Sequence, residues 1–165
     1  MTERSVIHDT FSIERTYLAT PSRVFAAFAS EEAKTVWGDD GEPGPAEAAP
    51  SEASTGQTEF DFRVGGRERF SSTYQGTAYR YDALYYDIIP DQRIVYSYEM
   101  YANDVRISVS VATIEFVKSA DGTALTWTEQ GAYLDGIDGP QAATLRSEGT
   151  AGMLDGLTKY LAGRD

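Results

Sequence analysis

At 165 residues the chain has the length of one domain and can bury a sizeable core without covalent staples. It has no cysteine, which excludes disulfides and thiolate chemistry, and a formal net charge of −12 with only 14 scattered Lys/Arg, which disfavours nucleic acid and anionic membranes as partners. No apolar run approaches the roughly 20 residues of a bilayer span, and Met1–Asp9 lacks the basic-then-apolar pattern of a secretory signal. We therefore expect a soluble, cytoplasmic protein without membrane insertion.

Thr10–Tyr17 alternates Phe11, Ile13, Arg15 and Tyr17 with polar neighbours and predicts a half-buried strand. Thr20 then offers an N-cap with Pro21 at the first helical position, and the helix turns Val24, Phe25 and Phe28 inward before stopping near Ser30. Ser30 can cap a second short helix, Glu31–Trp37. Residues 38–58 carry Gly, Pro, Ala, Ser and acid with no hydrophobic period, and predict a long flexible loop inside one domain over 1–165.

From Phe60 the pattern becomes strands joined by turn signals: Phe60–Val64, Arg67–Tyr74, Thr77–Ile89, Arg93–Met100, Val105–Val117 and Thr123–Gly131. With the first strand this gives an antiparallel meander of about seven strands. Pairing through Gln75-Gly76 sets Phe70 opposite Tyr81 and Glu68 opposite Ala83; pairing through Pro90-Asp91 sets Ala83 opposite Tyr98 and Tyr85 opposite Tyr96. A slightly longer third turn sets Tyr98 opposite Ser108 and Tyr96 opposite Ser110, and Ala120-Asp121 sets Ile114 opposite Trp127 and Ala112 opposite Glu129. One face thus collects Phe70, Tyr79, Tyr81, Tyr85, Tyr96, Tyr98, Met100, Ile114, Phe116, Leu125 and Trp127 with the polar Glu68, Arg106, Ser108, Ser110 and Glu129. The opposite face carries Ile107, Val109 and Val111, a candidate homodimer strip.

Gln141–Leu161 predicts one long closing helix. Ala142, Leu145, Gly149, Gly152, Met153, Gly156, Leu157 and Tyr160 fall on its inward side, and Glu148, Asp155, Thr158 and Lys159 on the other. Each interior glycine costs about 1 kcal/mol relative to alanine. Close backbone packing or room for a ligand would offset that cost. Arg146, near the apolar arc, reads as a snorkelling side chain, the alternative being an anchor for a ligand's anionic end.

The segments Phe60-Asp61-Phe62-Arg63-Val64-Gly65-Gly66-Arg67, Asp87-Ile88-Ile89-Pro90-Asp91-Gln92-Arg93-Ile94-Val95 and Gly122-Thr123-Ala124-Leu125, behind Trp37, resemble a known family. It is the activator of heat-shock-chaperone ATPase homologue family, within the superfamily of START, polyketide cyclase and coenzyme-Q-binding domains. The resemblance runs from about Thr10 to Leu161. It implies an α+β helix-grip fold, START-like or birch-pollen-allergen-like, in which a curved antiparallel sheet cups the long helix over a hydrophobic cavity. It implies no fixed catalytic residues. Glu68 departs from the aromatic or aliphatic residue that many relatives carry after the Gly pair, which suits a polar or cationic group in the cavity.

The expected function is binding of a small hydrophobic or aromatic molecule. Tyr81, Tyr98, Ser108, Glu68 and Glu129 would supply polar contacts, Phe70, Tyr85, Ser110 and Trp127 further wall, and Gly149, Gly152, Met153 and Gly156 the helical roof, with Trp37 near the mouth. One alternative is a cyclase or dehydratase-type enzyme with Glu68 or Glu129 as acid/base; against it, each carboxylate can belong to a buried structural network. A co-chaperone-like interaction module is the other. The single histidine, His8, precedes the first strand and suits neither a Ser-His-Asp relay nor zinc. Gly149, Gly152 and Gly156 lack the strand-turn-helix context of a dinucleotide loop. No metal or cofactor is expected.

Overall fold

Alternating side chains around Phe11 and Ile13 give β1 (Val6–Tyr17), longer than its apolar pattern because it pairs along its whole length with β7 (Gly122–Leu134), Val6 opposite Leu134 and Tyr17 opposite Thr123. The computed structural model describes residues 4–39 and 56–163. Thr20 Oγ1 accepts the Arg23 N–H at 3.2 Å and Pro21 opens α1 (Pro21–Ala29). Ser30 Oγ likewise accepts the Ala33 N–H at 3.1 Å and starts α2 (Glu31–Asp39). Both caps are those the sequence predicts.

The remaining strands are β2 (Gly56–Phe60), β3 (Arg67–Tyr74), β4 (Thr77–Ile89), β5 (Arg93–Ala102) and β6 (Val105–Ser119), and the chain closes with α3 (Ala142–Ala162). All seven form one antiparallel sheet in the order β1-β7-β6-β5-β4-β3-β2, so the meander folds until β1 lies beside the last strand. The sheet curves around α3, which rests on α2, β1 and β7. This is the expected α+β helix-grip architecture, with two short helices after the first strand.

Along each central strand the inward side chains grade from aliphatic to polar. On β5 they run Ile94, Tyr96, Tyr98, Met100; on β6 Phe116, Ile114, Ala112, Ser110, Ser108. The apolar end is closed by α1 and by Leu154, Leu157 and Leu161 of α3. There Phe28 meets Phe116 at 5.5 Å and Trp37 at 4.9 Å between ring centres, edge to face. The polar end lies under the first turns of α3.

Several local expectations are corrected. The second strand is Gly56–Phe60, not Phe60–Val64, because residues 61–66 turn back: Gly65 has φ +85°, the Gly65 N–H donates to Tyr85 O at 2.8 Å and the Tyr85 N–H to Gly66 O at 3.0 Å. Of the expected loop 38–58, residues 38 and 39 end α2 and 56–58 begin β2; residues 40–55 lie outside the described residues. In the second hairpin Ile89 pairs with Arg93, one residue off the expected register, and a bulge at Tyr86 restores Tyr85 opposite Tyr96 and Ala83 opposite Tyr98. The third turn is tight, not long: Asn103 and Asp104 both have positive φ, so Ala102 faces Val105, and Tyr98 faces Ser110 while Met100 faces Ser108.

That hairpin carries its own bulge at Ile107, which turns Ile107 into the interior and Arg106 out to solvent. The strip proposed on the outer face is therefore reduced to Val109 and Val111. On α3 the buried stripe is Ala142, Thr150, Leu154, Gly156, Leu157 and Leu161, and Leu145 is 47% exposed. The face is rotated from the expected one because Arg146, not Leu145, is drawn onto the sheet.

Candidate functional site

Two polar networks stand on the inner face of the sheet. In the first, Glu68 on β3 is 4% exposed and its Oε1 accepts from Lys34 Nζ of α2 at 2.6 Å and from the Tyr85 hydroxyl at 2.7 Å. The Lys34 ammonium also lies 5.8 Å from the centre of Phe60 and 5.9 Å from that of Tyr96. A buried carboxylate is thus met by a close cation and a phenol, which is what its desolvation requires.

The second network centres on Glu129 of β7. Its Oε1 accepts the Tyr98 hydroxyl in a short hydrogen bond and its Oε2 accepts the Trp127 indole N–H at 3.1 Å. Arg146, the first inward residue of α3 after Ala142, donates from Nη1 to the Tyr98 oxygen at 2.9 Å and from Nη2 to Ser108 Oγ at 3.0 Å. Its guanidinium carbon sits 5.6 Å from the Tyr98 ring centre and 5.4 Å from that of Tyr133. Asp138, in the segment leading to α3, reaches it only at 4.0 Å.

Burial raises the Glu129 carboxyl above its ordinary value, opposed by the Tyr98 hydroxyl, Arg146 and the Trp127 N–H. Burial also raises the Tyr98 phenol, which Arg146 moderates. For Arg146 burial works against the charge, but the Tyr98 oxygen and Glu129 outweigh it and the guanidinium is held cationic. Ser110 Oγ is buried with no hydrogen-bond partner among the described residues, next to Gly131, where an added Cβ would lie 2.9 Å from it.

Beside the networks, towards the polar end, runs a row that is partly accessible except at the buried Ser108. Phe70, Tyr81, Met100 and Ser108 face one another across β3, β4, β5 and β6, and Arg146 binds the Ser108 end. Burial pushes the Tyr81 phenol well above its ordinary range, yet Tyr81, Phe70 and Met100 all retain accessible surface. On α3, Gly149 lies one turn beyond Arg146 and before Met153 on the same stripe, and a Cβ there would meet nothing within 4 Å. The glycine leaves room rather than a seam at this position.

The expected site residues separate accordingly. Glu68 and Tyr85 join one network, Tyr98, Ser108, Trp127 and Glu129 the other, and Phe70 and Tyr81 pair opposite each other on the next row of the sheet. Trp37 is not at a mouth: it is 1% exposed, packs on Phe28 and donates its indole N–H to Ala27 O at 2.9 Å. Gly156 is buried in the stripe that packs the apolar end, and Met153 packs against the core from its edge. Arg146 is not a snorkelling side chain; it is 16% exposed and turned onto the sheet. Lys34 was not singled out from the sequence, although its spacing from Trp37 on a short helix places both on one face.

An open depression of about 620 Å³ on the outer face of the sheet, lined in part by His8, Thr10, Val109, Val111 and Gln130, gathers neither network. Among the described residues no cluster of three His, Asp or Glu could hold a metal ion, and no helix is long and apolar enough to cross a membrane.

The fold recurs in solved structures. An uncharacterized protein from Rhizobium leguminosarum is 36% identical over 99% of this chain and 100% of that one, with a TM-score of 0.84. Protein Mll3558 from Rhizobium loti is 45% identical over 94% of this chain and 99% of that one, with a TM-score of 0.79. Protein CV1439 from Chromobacterium violaceum shares the fold at 23% identity and a TM-score of 0.66, over 92% of this chain and 96% of that one. No curated protein matches the chain. The family model described as Activator of Hsp90 ATPase homolog 1-like protein matches residues 18–162, and to that family this chain belongs.

Proposed function

We propose that the chain binds a small apolar or aromatic molecule between the inner face of the sheet and the first turns of α3. The observation that carries this reading is the combination at Tyr81 and Gly149. Tyr81 is deep enough for burial to raise its phenol strongly yet keeps accessible surface, and Gly149 on α3 faces open space. A close-packed core would leave neither. Family membership supports the same reading at the level of the fold.

The acid–base alternative has weaker support. Both Glu129 oxygens already accept hydrogen bonds, and Glu68 is held by Lys34 and Tyr85, an arrangement that suits fixing tyrosines in place more than moving protons. The interaction-module alternative rests on the family's name alone.

Native mass spectrometry of the protein purified from its own host tests the proposal. We expect a discrete extra mass that denaturation releases and that Gly149→Leu, which fills the open space, excludes. Bare chain for both proteins would count against it.

A further inference from the structure

Lys34 and Arg146 both reach the inner face of the sheet, and their charges are met differently. Lys34 has the Glu68 carboxylate at 2.6 Å. Arg146, among the described residues, makes its two hydrogen bonds to neutral hydroxyls, those of Tyr98 and Ser108. The Glu129 carboxylate is taken up by Tyr98 and Trp127 rather than by the guanidinium. Asp138 stands at 4.0 Å, the outer limit of an ion pair, and burial disfavours its ionised form. A mostly buried guanidinium that meets Glu129 only through Tyr98 and Asp138 only at 4.0 Å can take a closer anion in direct contact.

Its place is equally specific. The row Phe70, Tyr81, Met100 and Ser108 crosses four adjacent strands, roughly 14 Å at the usual strand spacing. Two aromatic rings and a thioether line up on the inner face, Arg146 stands at the β6 end, and Gly149, one helical turn beyond Arg146, faces open space. That length accepts two or three fused or linked rings, or a short acyl chain, lying flat with one end against the guanidinium.

Resting on the cavity reading above, we propose that the ligand is an organic anion, its apolar body along Phe70, Tyr81 and Met100 and its carboxylate or sulfonate end on Arg146. The fork of guanidinium N–H groups suits a two-oxygen anion, and the low-dielectric surroundings strengthen the contact. The chain's charge of −12 opposes anions at long range but is screened within about 10 Å at 0.1 M salt, so the local contact decides.

Two fluorescent probes with the same rings separate charge from shape: anilinonaphthalene sulfonate and the uncharged phenylnaphthylamine. The wild type binds the sulfonate more tightly. Arg146→Gln loses about tenfold in sulfonate affinity, the fold-change of one charge-assisted hydrogen bond, and loses far less for the amine. Arg146→Lys keeps the charge without the fork and recovers part of the loss. Gly149→Leu excludes both probes. Equal binding of the two probes by the wild type, a preference for the amine, or an equal loss of both in Arg146→Gln overturns the anion inference. The first two need no variant. If Gly149→Leu still excludes both probes in that case, the cavity stands and only its charge preference falls. Neither probe bound by the wild type, or both bound undiminished by Gly149→Leu, overturns the cavity reading and this inference with it.

Discussion

Glu129 sits in a place where its charge is costly. Burial raises its carboxyl above the ordinary 4.5, and the bonds from Tyr98 and Trp127 only partly compensate. A carboxyl raised in the folded state binds more protons there than in the unfolded chain, so this group's contribution is most favourable below about 4.5 and declines as pH rises toward the folded value. Glu129→Gln cannot titrate, and its amide turns an N–H₂ toward one of the two donors, at a cost of about 1–3 kcal/mol in acid. The wild type's stability advantage over Glu129→Gln should therefore shrink with rising pH across that window, read as the difference in urea unfolding free energy. A difference independent of pH would refute the assignment. Alternation alone placed Glu129 and Glu68 inward, because strand parity is fixed by backbone geometry. Lys34, which meets Glu68, and Arg146, which meets Tyr98 and Ser108, were not legible: both come from helices whose rotation is set on docking.

At the scale of elements, α3 holds three glycines that serve different ends. Gly156 lies in the buried stripe beside Leu157, while Gly149 faces open space. Gly149→Ala therefore adds helix propensity without a clash and should raise the unfolding free energy by about 0.5–1 kcal/mol, seen as a higher denaturant midpoint at constant slope. A loss of stability would mean that the space at Gly149 is filled. The capped starts of α1 and α2 were readable because Thr20 and Ser30 make local hydrogen bonds. The rotation of α3 was not, since Leu145 and Arg146 are about 100° apart around the helix and the Tyr98 and Ser108 hydroxyls choose which of them faces the sheet. The strand registers were right where the turn residues were unambiguous, as at Gln75-Gly76, and two residues off where Asn103-Asp104 makes a tight positive-φ turn.

For the molecule as a whole, a net charge of −12 on 165 residues favours the expanded chain through self-repulsion. Raising sodium chloride from about 10 to about 200 mM shortens the screening length to below about 10 Å and should lift the thermal midpoint by a few degrees. A falling midpoint would mean that exposed pairs such as Arg93–Asp87 and Arg106–Glu99 outweigh the general repulsion. The sequence by itself determined the meander, the two caps, the closing helix and the inward parity of all but the bulged residues, since each follows from local backbone geometry and alternation. Only the tertiary structure decided that Trp37 is core, that Ile107 and Arg106 exchange sides, that Lys34 meets Glu68, and that Arg146 binds Tyr98 and Ser108. Those outcomes depend on bulges and on the docking of helices against a curved sheet, where side chains far apart in the chain compete for the same space and for the same hydrogen-bond partners.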